Sequence, residues 1–194
     1  YKSSKIINMG SNLSYSPLGF SKDSLSINIK KFNRILSFNL EEKTITVEAG
    51  LTLYKLLDFT LNYNLWIPQL PGYPLITIGG AIASNSHGKS CAIHGTIRQS
   101  VKQILLFHKK HGWINLSDTE NKEIFDLTLG GIGLTGTIVS VTFNLTEIEN
   151  SKFLTKKIEV KNLEECKKLI LEKDQNMPFI YSWNRADDLK NFGK

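Results

Sequence analysis

Cysteine is nearly absent from this chain, with Cys91 and Cys166 the only two among 194 residues. Two thiols so far apart make neither a disulfide framework nor a zinc site. Cys166 falls within Leu163–Leu171, an amphipathic helical pattern, and reads as a core thiol. Histidine is scarce as well: His87, His94, His108 and His111 are the four copies, and none has carboxylates or thiols at a ligand spacing. No metal site is expected. No nucleophile stands with a base in the pattern a hydrolase needs. Long apolar runs are missing, and nothing approaches the roughly 20 residues of a membrane helix. The opening Tyr1-Lys2-Ser3-Ser4 has no Met and no signal-peptide pattern, and Asn191-Phe192-Gly193-Lys194 has no terminating logic. A fragment cut at both ends is expected.

Acidic residues are outnumbered, 18 Asp+Glu against 24 Lys+Arg, for a formal net charge of +6. A basic balance suits nucleic acid, an acidic surface or a phosphorylated ligand. The lysines are scattered, as in Lys30-Lys31, Lys109-Lys110, Lys156-Lys157 and Lys167-Lys168, and no base-reading motif accompanies them. Nucleic acid is therefore not expected as a partner. Hydrophobic residues at 41% and charged residues at 22% are ordinary for a globular domain.

Periodicity predicts strands at Lys5–Met9, around Leu25–Ile29, at Ile35–Phe38, Thr44–Glu48, Val101–Phe107 and Trp113–Leu116, and from Thr137 to Leu145. Thr52 is placed to cap a helix carrying Leu53, Leu56, Leu57 and Leu61, and Asn121–Leu129 reads as a short helix. After Asn150 the character changes. A strand (Phe153–Val160), a helix (Leu163–Lys173) and a strand (Phe179–Trp183) look like the opening of a second domain. Irregular alternation with hairpins argues an α+β fold rather than a doubly wound parallel sheet.

Four segments could bring bare backbone close to a ligand. Gly10-Ser11-Asn12-Leu13-Ser14-Tyr15 has the composition of an anion-binding turn: Gly10 lacks a Cβ, Asn12 tolerates positive φ and Ser14 offers a hydroxyl. Leu70–Ala83 is stiffened by Pro71 and Pro74 and then stripped of side chains at Gly79, Gly80, Ala81 and Ala83. Ser84-Asn85-Ser86-His87-Gly88-Lys89 sets polar donors beside glycine, and His87 and Lys89 could stabilise negative charge. Gly131-Ile132-Gly133-Leu134-Thr135-Gly136 satisfies G-x-G-x-x-G, but a helix precedes it and a strand follows, the reverse of the Rossmann order. These glycines serve another geometry.

In order and spacing, GSNLSYS (Gly10–Ser16), VEAGLTLYKLLDFTLNYNLWIPQLPG (Val47–Gly72), TIGGAIASNSHGK (Thr77–Lys89) and LGGIGLTGTI (Leu129–Ile138) resemble one flavoprotein family. This is the vanillyl-alcohol-oxidase / p-cresol-methylhydroxylase (PCMH) type of FAD-binding domain, as in aldonolactone oxidases, alditol oxidase and decaprenylphosphoryl-ribose 2-oxidase. The resemblance runs from about Ile6 to Leu145 and weakens towards Tyr181-Ser182-Trp183. It implies an FAD-binding domain over residues 1–148, short of its first strands, and the start of a substrate domain over 149–194. Two α+β subdomains would hold an extended FAD. Gly10–Tyr15 would cradle the pyrophosphate. Pro71, Gly72, Tyr73, Thr77, Gly79 and Gly80 would line the flavin side, with Ser84, Ser86, His87, Gly88 and Lys89 close to the isoalloxazine. Gly131, Gly133, Thr135, Gly136 and Ile138 would meet the adenosine half.

The implied chemistry is hydride transfer from a CH–OH carbon of a sugar or sugar-lipid substrate to flavin N5, with a general base from the later substrate domain and a reductase as a further partner. Covalent relatives carry His at the position of Leu13, and bicovalent ones a Cys within the stretch matching Pro71–Gly80, so non-covalent FAD is implied. Relatives have Gly and Arg at Asn12 and Leu13, and Cys at Ser84. The residues leave two alternatives open: an aldonolactone or alditol oxidase, and a flavin-free basic binding module that keeps the fold.

Overall fold

The computed structural model describes residues 5–16, 18–149, 152–173 and 177–184. In chain order the strands are β1 (Lys5–Met9), β2 (Ser24–Asn28), β3 (Ile35–Asn39), β4 (Thr44–Glu48), β5 (Leu65–Trp66), β6 (Val101–His108), β7 (Gly112–Ser117), β8 (Thr137–Asn144) and β9 (Thr146–Glu147). The α-helices are α1 (Leu53–Thr60), α2 (Ile78–Ala83), α3 (Cys91–His94), α4 (Lys122–Thr128) and α5 (Leu163–Lys173).

Alternation in the sequence becomes a five-stranded antiparallel sheet of order β3-β4-β8-β6-β7. Its register lines up Val47, Val141, Ile104 and Leu116 across the sheet, all buried. On the opposite face Thr46 and Thr142, also paired, share a hydroxyl–hydroxyl contact of 2.9 Å. One face is apolar and the other polar because side chains alternate with period two. The apolar face is covered by Leu53 and Leu56 of α1, Ile78, Ala81 and Ile82 of α2, and Phe125 of α4. Thr52 caps α1 as its sequence position suggests, its hydroxyl accepting from the Lys55 N–H at 3.3 Å.

β1 and β2 form a separate parallel pair, and β5 and β9 a short antiparallel one. The arrangement is α+β, as expected. α5 occupies its expected span, and Cys166 on it is buried. Two expectations need correction. The segment Ile78–Ala83 is a helix, not merely bare backbone. Phe153–Val160 and Phe179–Trp183 form no strand among the described residues. Instead Phe153 and Phe179 pack on Trp66, with ring centroids 6.0 and 5.6 Å from it and 5.0 Å from each other.

Candidate functional site

Two of the glycine-bearing segments, Gly10–Tyr15 and Gly131–Gly136, come from remote parts of the sequence to the short helix α2, which lies within the second segment and runs directly into the third. At its start Thr77, buried, caps the helix by accepting from the Gly80 N–H at 3.3 Å. The Gly10 backbone lies against this hydroxyl so closely that a methyl on Gly10 would collide with it. The Ser11 hydroxyl donates to the Leu75 carbonyl at 2.7 Å, fastening the first turn to the loop before α2. Asn12 takes the left-handed conformation, φ 55°. Beyond it Leu13, Ser14 and Tyr15 are exposed.

Within α2 the two glycines divide their roles. Gly79 is buried against Ala49 and Ile29 and donates its N–H to the Ala49 carbonyl at 2.7 Å, whereas Gly80 is exposed. Upstream, Pro71 is half-buried and Gly72 and Tyr73 are exposed on the loop that crosses the start of α1, where the Tyr54 N–H donates to the Pro74 carbonyl at 2.8 Å.

At the far end of α2, the Gly130 and Ile132 amides donate to the Ile82 and Ala83 carbonyls at 3.0 and 2.9 Å. The G-x-G-x-x-G turn therefore spends its Ile132 amide, with that of Gly130 just before it, on satisfying a helix end. It does so with Ile132 at φ 52°, unfavourable for a β-branched residue. A methyl on Gly131 would strike the Leu127 carbonyl, while Gly133, at φ 80°, opens onto free space. The Thr135 hydroxyl meets that of Thr128 at 2.9 Å. Gly136 takes φ 145°, with the Phe107 carbonyl where a Cβ would sit. Ile138 is buried in β8. The Thr137 hydroxyl accepts from the Asn8 amide at 2.9 Å, closing β1 against the start of β8.

Ser84 ends α2, its hydroxyl donating to the Gly80 carbonyl at 2.9 Å. Next come Asn85 Oδ1 and Ser86 Oγ, two buried polar atoms without a hydrogen-bond partner among the described residues. Burying such atoms unpaired is costly, and native structures rarely leave them so without a ligand, water or ion nearby. The chain then runs through His87, exposed and bridged to Thr96, to Gly88, where an added methyl would collide with the Leu70 backbone carbonyl. A cleft of about 380 Å³ lies here, with Gly72, His87, Gly88, Lys89 and Cys91 on one side and Ile180 and Tyr181 on the other.

A buried polar network, not foreseen from the sequence, holds the wall of this cleft. Gln69 donates to the His94 carbonyl at 2.7 Å and accepts from the Ser100 hydroxyl at 2.8 Å, and the Ser90 hydroxyl donates to the Pro68 carbonyl at 2.7 Å. A lone Gln among prolines has no periodicity to betray it. Asn85 falls within the polar segment Ser84–Lys89 but, unlike the serines on either side, is not assigned to the cofactor by the resemblance. Among the described residues no group of three or more His, Cys, Asp or Glu could hold a metal ion, and no helix is long and apolar enough to cross a membrane.

A sheet-and-helix body with glycine turns converging on a short helix beside a cleft is the architecture of the PCMH-type FAD-binding oxidases. Its fold matches carbohydrate oxidase from Microdochium nivale with a TM-score of 0.67 at 22% identity, over 74% of this chain and 31% of that one. The chain belongs to the FAD binding domain family, whose profile matches residues 2–117. It is 31% identical over 150 residues to decaprenylphosphoryl-beta-D-ribose oxidase of Mycolicibacterium smegmatis, covering 77% of this chain and 33% of that protein. It is 27% identical over 183 residues to the mitochondrial L-galactono-1,4-lactone dehydrogenase of Arabidopsis thaliana, covering 93% and 29%. The chain thus spans about a third of the length of these relatives.

The residues present fit the cofactor this family is named for. Exposed Gly80 and Gly133 leave backbone open to close approach, Asn85 and Ser86 hold unsatisfied polar atoms, and Lys89 brings a positive charge to the cleft.

Proposed function

We propose that this chain is the cofactor-binding part of an FAD-dependent oxidoreductase that oxidises a CH–OH group of a sugar-type substrate. The observation that carries this reading is the meeting of two remote glycine turns, at Gly10 and at Gly130–Ile132, with the two ends of α2, in a chain whose relatives include a ribose oxidase and a lactone dehydrogenase. The turn at Gly10–Tyr15 takes the pyrophosphate, bracing its first residues on Thr77 and Leu75. Pro71, Gly72, Tyr73, Thr77 and Gly80 line the flavin side, and Gly79 sets the depth of α2 by packing on Ala49. Asn85 and Ser86 offer their unpaired polar atoms to the ring edge. His87, Gly88 and Lys89 form the wall of the cleft where the substrate carbon meets the ring. The turn from Gly131 to Gly136, ahead of Ile138, takes the adenosine half with the amides not committed to α2.

Bound there, FAD supplies a two-electron acceptor for the hydride of the CH–OH carbon, whose hydroxyl proton passes to a base as the carbon becomes a carbonyl. The residues of this chain bind the cofactor, exclude water from its ring and place positive charge beside it. A reductase is a further partner of the whole protein. The cofactor is held without a covalent bond, since Leu13 has no nucleophile to offer and no Cys occurs from Pro71 to Gly80.

The test is an absorbance spectrum of the full-length protein before and after acid precipitation. A two-banded flavin spectrum that moves to the supernatant is expected, followed by anaerobic bleaching with a sugar or lactone. Colour retained in the pellet overturns the non-covalent reading. A folded protein that stays colourless after FAD is added overturns the function and favours a flavin-free module.

A further inference from the structure

The Lys89 ammonium lies 3.9 Å from the centroid of the Tyr181 ring. Among the described residues no carboxylate pairs with it, whereas Lys43, Lys102, Lys122 and Lys168 each meet one. The backbone is tied at the same place, with the Ile180 N–H donating to the Lys89 carbonyl at 3.1 Å. Residues after the FAD-binding family match thus grip Lys89 by both main chain and side chain. Phe179, two residues before Tyr181, is itself held against Trp66, so the ring is presented by an anchored segment.

The kind of partner matters. A carboxylate would restrain the ammonium and cancel its charge. An aromatic face restrains it and leaves the formal charge uncancelled. Both residues line the cleft shared with Gly72, His87 and Gly88. We infer that Tyr181 is a positioning residue: its ring is a neutral backing that aims the undiminished charge of Lys89 at the electron-rich edge of the flavin. This rests on the flavin reading given above and adds a residue outside the FAD-binding family match to the group that sets the flavin's redox equilibrium.

The test uses the full-length protein and the variants Tyr181→Phe, Tyr181→Leu, Lys89→Met and Lys89→Met/Tyr181→Leu. Tyr181 is 60% exposed, so its replacement uncovers no core. Without added FAD, an upfield ring-current shift of the Lys89 Cε protons by NMR is expected in wild type and Tyr181→Phe and is lost in Tyr181→Leu. At saturating FAD, the flavin is equilibrated with a redox dye. Tyr181→Phe is expected to match wild type, and Tyr181→Leu to lower the reduced-to-oxidised ratio by about threefold. In the Lys89→Met background the same change is expected to have no effect. Flavin bound normally with Tyr181→Leu unaltered, or altered equally without Lys89, overturns this inference alone. A wild-type protein that shows the NMR shift but takes up no FAD overturns the proposed function, and this inference with it.

Discussion

The carbonyl oxygen of Leu70 stands where a methyl on residue 88 would go. A backbone atom cannot swing aside as a side chain can, so Gly88→Ala must displace the loop that carries His87 and Lys89. A loss of about 1–3 kcal/mol in urea denaturation is expected, with weakened FAD uptake. Gly72→Ala is the matched control on the same cleft: nothing lies within 4 Å of its methyl and its φ is not positive. Its stability should stay within about 0.5 kcal/mol of wild type, so a midpoint equal to that of Gly88→Ala would refute the steric account. Ile132 offers the reverse case. It holds φ 52° in a residue 57% exposed, so strain is stored where little apolar burial is at stake. Asn accepts the left-handed region, and Ile132→Asn is expected to raise stability by about 1 kcal/mol, read from the same urea midpoint.

At the scale of the element, α2 is the joint of the site and is short enough to depend on its ends. Thr77→Ala removes the cap and the hydroxyl against which Gly10 rests, and a loss of about 1 kcal/mol is expected, with Thr77→Ser recovering most of it in thermal melts. Elements with a clean period were legible in the sequence: β8 from Thr137, Val139, Val141, Phe143 and Leu145 alternating with polar or small residues, α1 from Thr52 and its leucines, α5 from its amphipathic run. α2 was not, because Gly79-Gly80 sits in its middle and glycine is among the weakest helix formers; here burial of Ile78, Ala81 and Ile82 overrides propensity. The reading of Phe153–Val160 as a strand followed local preference, which cannot supply a partner strand to pair with. The candidate site was legible as glycine segments but not as contacts. That the Gly130–Ile132 amides close the end of α2, or that Gln69 braces the cleft wall, depends on pairings remote in sequence. Neither has any local signal.

For the molecule as a whole, several carboxyls are held below their ordinary values, and the buried one among them lies at the β3–β4 border. Glu48 is buried and accepts from the Arg34 guanidinium at 2.7 and 3.1 Å and from the Arg34 N–H at 2.8 Å. The side-chain hydrogen bond from Arg34 is the largest cause holding its carboxyl below the ordinary 4.5; burial opposes it and is outweighed. A carboxyl whose folded value is depressed contributes stability that is present above its unfolded value and is lost as pH falls through the folded one. Wild-type stability is therefore expected to decline from about pH 4.5 downward, and Glu48→Gln to start lower at pH 7 and decline less over that window. Urea midpoints measured from pH 7 to pH 3 check the crossing of slopes.

The hydrogen bond between Asn8 and Thr137 spans 129 residues. β4 likewise waits for β8, which enters the centre of the sheet from far along the chain. Closing such distant pairs is slow, since chain entropy is surrendered before the contacts return anything. During synthesis the N-terminal turn at Gly10 emerges early and has nothing to rest on until α2 follows, and α2 has no C-terminal closure until Gly130–Ile132 leave the ribosome. The seat proposed for the cofactor is thus among the last features of this domain to exist, and a nascent chain stopped before β8 is expected to take up no FAD.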